Sequence, residues 1–159
     1  MVAAYAEYFP RDPEGPALAY REEIRDVWSR LADSTLIVAE EQGRIAGAVT
    51  YYADARRESP VGWPPNWAAF RLLAVHPDAR GRGIGRLLTA ECIRRARDAG
   101  RDAVSLHTTE LMAVARALYE RMGFVRVPEF DFRPIPPLLV MAYRLDLTSM
   151  PRSVSSERH

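Results

Sequence analysis

One stretch constrains this chain more than any other: a strand-like run that delivers a glycine-spaced turn onto a helix. Residues 70–75 are mostly apolar, and Pro77 stops them. Gly81, Gly83 and Gly85 then recur at every second position, and Ile84, Leu88 and Cys92 recur every four residues with Leu87 beside them. That last spacing predicts a helix with one apolar stripe. A glycine-rich turn at a helix N-terminus is suited to an anion. Backbone can approach closely, the first-turn N–H groups lack intrahelical partners, and the dipole favours negative charge. Arg80, Arg82 and Arg86 add positive charge at the same place. The stretch reads as a pyrophosphate site.

Two common phosphate motifs fail against these letters. A P-loop needs Gly-Lys-Ser/Thr at the helix start, where this chain has Gly85, Arg86 and Leu87. A dinucleotide fingerprint needs a third glycine three residues after the second, and Arg86 stands there. The letters do contain Arg-x-x-Gly-x-Gly at Arg80, Gly83 and Gly85, preceded by Val-x-Pro at Val75 and Pro77. This pattern resembles the acetyl-coenzyme A signature of the GCN5-related N-acetyltransferases, the GNAT family. A second block, with Ala115, Leu118, Tyr119, Gly123 and Phe124, is similar to the next conserved block of that family.

The resemblance implies an α/β (α+β) fold: a mixed, twisted sheet, flanked by helices, that splays open between two parallel strands. It implies acetyl-CoA as acyl-donor co-substrate, its pantetheine arm against the backbone of Leu73, Ala74 and Val75. The pyrophosphate is then expected on Arg80, Gly81, Arg82, Gly83, Ile84 and Gly85. Tyr119 matches the family tyrosine that protonates the departing thiolate. The implied reaction is direct acetyl transfer to a primary amine in a ternary complex, the acceptor being a small molecule or a peptide. Two family features are missing. Met112 stands where many members carry an asparagine, and residues 70–74 contain no carboxylate to serve as base. Glu110, His107 and Asp54 are the other base candidates, and a water relay is a further one. The alternative reading is a non-catalytic acyl-CoA-binding or sensing domain.

The rest of the chain fits around this core. Its 159 residues suit a single domain, expected over 1–150 with a polar, disordered tail at 151–159. A net charge of +1 argues against nucleic acid or an anionic membrane as partner. One cysteine excludes an internal disulfide and suits a reducing, cytoplasmic setting. Cys92 lies on the helix stripe and reads as a packing residue. No run is apolar for long enough to span a membrane, and the start lacks a signal peptide's basic segment. No cluster of metal-ligand type is visible.

Taken in order, residues 17–31 carry helical spacing at Ile24, Val27, Trp28 and Leu31. A hairpin follows, with strands 35–40 and 45–53 around a turn at 41–44. The irregular 54–66 connection brings Trp63, with Trp67 just past it, both read as core cover. Strand 103–107, helix 110–122 and closing strands at 124–127 and 138–147 complete the chain. Leu111, Ala115, Leu118 and Met122 form the stripe of that last helix. Residues 3–9 read as helix, so the family's first edge strand is expected to be missing and the natural start to lie upstream. An exposed edge at 35–40 would then favour a homodimer.

Overall fold

The computed structural model describes residues 25–58, 61–134 and 137–149. After a single helical turn, Val27–Arg30 (α1), strands Thr35–Glu41 (β1) and Arg44–Tyr52 (β2) form a hairpin. Gln42 and Gly43 make its two-residue turn, both at positive φ, which matches the right-handed twist of the flanking strands. Then come Trp67–Val75 (β3), Ile84–Asp98 (α2), Ala103–Thr109 (β4), Ala113–Arg121 (α3), Val125–Arg126 (β5) and Val140–Asp146 (β6). Among the described residues the strands form one six-stranded sheet in the order β1-β2-β3-β4-β6-β5. Among the described residues only β3 and β4 run parallel, because α2 carries the chain back between them. This is the mixed sheet expected from the sequence.

The sheet separates two cores. Val49, Tyr51, Phe70, Leu88, Cys92, Val104, Leu106, Tyr119, Phe124 and Tyr143 belong to the larger, on the face that α2 covers. Tyr52, Ala55, Trp63, Ala69, Val127 and Ala142 form the smaller, on the opposite face. Trp63 is 2% exposed, so it is core cover as its sequence context indicates. The same holds for Cys92, whose thiol burial pushes up to about 12, leaving no thiolate for acyl transfer at neutral pH.

Several boundaries move. β3 starts at Trp67, three residues before the apolar run, because Ala68 and Ala69 are buried between neighbouring strands. The later helix starts at Ala113 rather than at 110, and Leu111 is left exposed outside it. Leu87 also faces solvent, and Thr89 and Ile93 take its place on the buried side of α2. Thr89 can be buried because its hydroxyl donates to the Gly85 carbonyl at 2.8 Å, one turn back. Among the described residues β1 stands at one edge of the sheet, with Val38 exposed. The readings of 3–9, most of 17–31 and 151–159 fall outside the described residues. No described helix is long and apolar enough to cross a membrane.

Gly47 sets how closely α2 approaches the sheet. A Cβ there would stand 2.9 Å from the Ala74 carbonyl oxygen, 3.0 Å from Ile84 and 3.1 Å from Leu88. The oxygen is backbone and cannot swing aside. Gly47→Ala should therefore destabilise the protein by about 1–3 kcal/mol, the usual cost of overpacking, as read from the midpoint of urea unfolding. An unchanged midpoint would mean that α2 can lift off β2 without loss.

Candidate active site

The central feature is an opening in the sheet. β3 and β4 pair only at Trp67↔Ala103, Ala68↔Val104 and Ala69↔Ser105. Beyond that point β4 continues to pair with β6 through Thr109, and β3 with β2 through Val75. The two parallel strands thus keep their outer partners and part from each other. The register of β3 on β2 also slips just there, from Thr50↔Arg71 to Ala48↔Ala74, which inserts one extra residue on β3. Leu72 absorbs the bulge at φ +56, left-handed backbone that a leucine rarely adopts. The bulge re-aims the backbone of Leu73, Ala74 and Val75 along the opening.

At the end of β3 the chain turns tightly. The His76 N–H donates to the Ala46 carbonyl at 2.7 Å, and His76 Nδ1 accepts from the Asp78 N–H at 3.2 Å. His76 therefore shapes the turn, as its place before Pro77 suggests. The short 3₁₀ turn Pro77–Ala79 leads to Gly81 and Gly83, at φ +79 and +77. A Cβ on either would meet nothing within 4 Å, so backbone conformation rather than crowding requires glycine there. Gly83 caps α2 without a side-chain bond, and the first helical bond runs from the Leu87 N–H to the Gly83 carbonyl at 3.0 Å. The N–H groups of Ile84, Gly85 and Arg86 precede it and have no partner within the helix. They form a donor cluster next to the open space at Gly83, with the helix dipole behind it.

The arginines do not all contribute alike. The Arg82 guanidinium donates to Glu41 Oε2 at 2.6 Å and to the Asp78 carbonyl at 3.1 Å, so its side chain braces the turn against β1. On the outer face of α2, Arg94 and Arg95 are paired with Glu91, and Arg94 with Asp98. Those pairs hold the Glu91 carboxyl down at about 2. The positive charge visible in the sequence is therefore partly neutralised along the helix.

The first turn of α2 packs against the part of α3 that carries Tyr119. A Cβ on Gly85 would lie 3.5 Å from Leu118 and 3.8 Å from Val75, which sets α2's first turn between β3 and α3. One residue on, Tyr119 is buried, with its ring centroid 5.8 Å from Phe70 and 5.8 Å from Phe124. Phe70 is the first β3 residue past the last β3–β4 pair. Among the described residues the Tyr119 hydroxyl has no hydrogen-bond partner. Burial, aided by nearby Cys92, pushes its pKa well above the usual tyrosine value. It therefore stays a neutral donor at any working pH. Met112, at the N-cap of α3, makes no side-chain capping bond.

The three base candidates separate clearly. Asp54 accepts from the backbone and side chain of Arg56, which holds its carboxyl below the usual range. Glu110 is exposed in the turn after β4. His107 is part-buried beside Glu58, a carboxylate that sequence spacing did not single out. The described residues contain no cluster fit to hold a metal ion.

The model of the acetyltransferase (GNAT) family matches residues 1–124. Among curated relatives, the mycothiol acetyltransferase of Cellulomonas flavigena is 36% identical over 91 residues, covering 57% of this chain and 26% of its own length. The chain thus spans about a quarter of that relative. Among solved structures, PH1933 from Pyrococcus horikoshii superposes with a TM-score of 0.65 at 22% identity, over 91% of this chain and 84% of that one. YncA from Salmonella typhimurium, solved with its cofactor acetyl-CoA, gives 0.55 at 21% identity, over 84% and 73%.

Proposed function

This chain belongs to the acetyltransferase (GNAT) family, and from that premise we propose that it moves an acetyl group from acetyl-CoA to a primary amine. The observation that carries the reading is the opening between β3 and β4, with an unsatisfied helix N-terminus at its end. The residues fit such a donor. Gly81 and Gly83 leave open space where a phosphate can reach backbone, and the Ile84, Gly85 and Arg86 N–H groups can receive it. Arg80 adds charge, and Arg82 contributes through its backbone and by bracing the turn. Leu73, Ala74 and Val75 supply backbone donors and acceptors along the opening for an amide-bearing arm. When bound, acetyl-CoA supplies an activated acyl carbonyl and a thiol leaving group. Tyr119 presents a neutral hydroxyl on the larger-core face of the same opening, suited to donate a hydrogen bond to a developing thiolate.

The experiment is free-thiol release from acetyl-CoA across an amine panel of spermidine, kanamycin, glucosamine and short peptides with free N-termini. Release that depends on one amine class supports transfer. Tight acetyl-CoA binding with no release on any amine would support the sensing reading instead.

A further inference from the structure

The smaller core buries a titratable pair for which packing alone gives no account. The side chains of His107 and Glu58 are 9% and 5% exposed, in a cluster with Trp63, Trp67 and Phe130. Burying such groups is costly unless their polar atoms are engaged. Glu58 Oε2 accepts from Trp63 Nε1–H at 2.9 Å. His107 Nε2 lies 3.0 Å from the Phe130 carbonyl oxygen. A carbonyl only accepts, so Nε2 carries the hydrogen and the neutral ring presents a bare Nδ1. That Nδ1 faces Glu58 Oε2 across 3.8 Å, too far for a hydrogen bond between them. Two acceptors at this spacing suit one nitrogen that carries two hydrogens.

The pair also stands at the opening. The last β3–β4 pair is Ala69↔Ser105, so two residues further the facing positions are Arg71 and His107, beside the Leu72 bulge. Val104 and Leu106 on β4 face the larger core, as Tyr119 does. His107 alternates to the other face, against Trp63 at 4.7 Å. Tyr119 and His107 thus stand on opposite faces of the sheet at one opening. A base on one face and an acid on the other can act separately on the amine and the thiolate bonded to one tetrahedral carbon.

We propose that His107, oriented by Phe130 and supported by Glu58, takes the proton from the acceptor's ammonium group. The inference rests on the acetyltransferase reading above. One N–H bond of the ammonium breaks and an Nδ1–H bond forms. The electron pair stays on the amine as the lone pair that attacks, and the imidazolium later releases its proton to solvent. Glu58 is a positioning residue that stabilises the imidazolium. Burial lowers the His107 pKa, as does Arg71 on β3, while Glu58 beside it, the Phe130 carbonyl and Asp131 raise it; the balance is a lowering. The ring is therefore neutral at pH 7, the state a base requires.

Methylamine and hydroxylamine test this as a size-matched pair, since methylamine is an ammonium at pH 7 and hydroxylamine is already neutral. His107→Gln should slow acetylation of methylamine by about 100-fold or more and leave hydroxylamine within a few fold. A second readout needs no acetyl-CoA: protonated His107 should quench Trp63 emission as the pH falls. His107→Gln should abolish that step, and Glu58→Gln, which keeps an acceptor for Trp63, should move its midpoint to lower pH. Equal loss on both amines, or no loss on methylamine, would overturn the assignment of His107 while leaving transfer intact. A wild-type protein inert towards both and towards every amine of the panel above would overturn the acetyltransferase reading and this proposal with it.

Discussion

Gly83→Val should abolish strong acetyl-CoA binding while leaving a folded protein. The glycine sits at φ +77 with nothing within 4 Å of where a Cβ would project. The substitution therefore meets no packed neighbour, and its cost to the fold is left-handed strain, about 1–3 kcal/mol. A domain of ordinary stability, about 5–15 kcal/mol, survives that. The new side chain fills the open space beside the first-turn N–H groups, where the proposed pyrophosphate must sit. Losing two hydrogen bonds to a charged group, at about 1.5–3 kcal/mol each, corresponds to at least about 100-fold in affinity. Arg80→Ala should weaken binding by less, about tenfold, since the backbone donors remain. Calorimetry with acetyl-CoA and a thermal melt on each variant check both statements. Undiminished affinity in Gly83→Val would remove the pyrophosphate assignment.

That the turn could be read from sequence at all reflects how local its signals are. Strand end, proline, alternating glycines and helical stripe lie within one short stretch, and each agrees with the next. The stripe itself was only partly legible. Spacing counts Leu87 as core because it is apolar, and passes over Thr89 because it is not. Helix orientation reverses both, since Thr89 satisfies its own hydroxyl within the helix. Leu111 fails for a different reason: its spacing has meaning only inside a helix, and α3 starts after it.

The opening was legible only through resemblance, and two of its parts were not legible at all. Nothing in a leucine announces φ +56, since the bulge is imposed by strands that pair on one edge and separate on the other. The Glu58–His107 pair joins an irregular connection to a central strand, and no residue spacing encodes that meeting. His107 was a candidate on residue type alone. Its partner had to come from packing, through Trp63, which holds Glu58 and covers the imidazole.

Tyr119→Phe should lower the maximal rate by about 100-fold, the lower end of the range for general acid–base catalysis, with acetyl-CoA affinity little changed. Two physical facts set that size. A thiolate is already a fair leaving group, its thiol pKa being near 8.5 if it behaves like a free cysteine. Burial moves the Tyr119 phenol further from that value, so complete proton transfer runs uphill and the hydroxyl acts mainly as a hydrogen-bond donor. The raised pKa also fixes a sign. Tyr119 keeps its proton past the ordinary value of about 10, so its ionisation should cause no loss of rate up to that pH. The rate separates this role from simple packing, and the stability readout shows that the variant is intact. The ring holds Phe70 and Phe124, and phenylalanine keeps those contacts. Among the described residues no group bonds the hydroxyl, so its removal orphans no partner and the melting temperature should stay level or rise slightly. Packing alone therefore predicts a variant with wild-type rate and wild-type stability. Single-turnover rate and melting temperature on the same protein decide, and an unchanged rate would end the general-acid assignment.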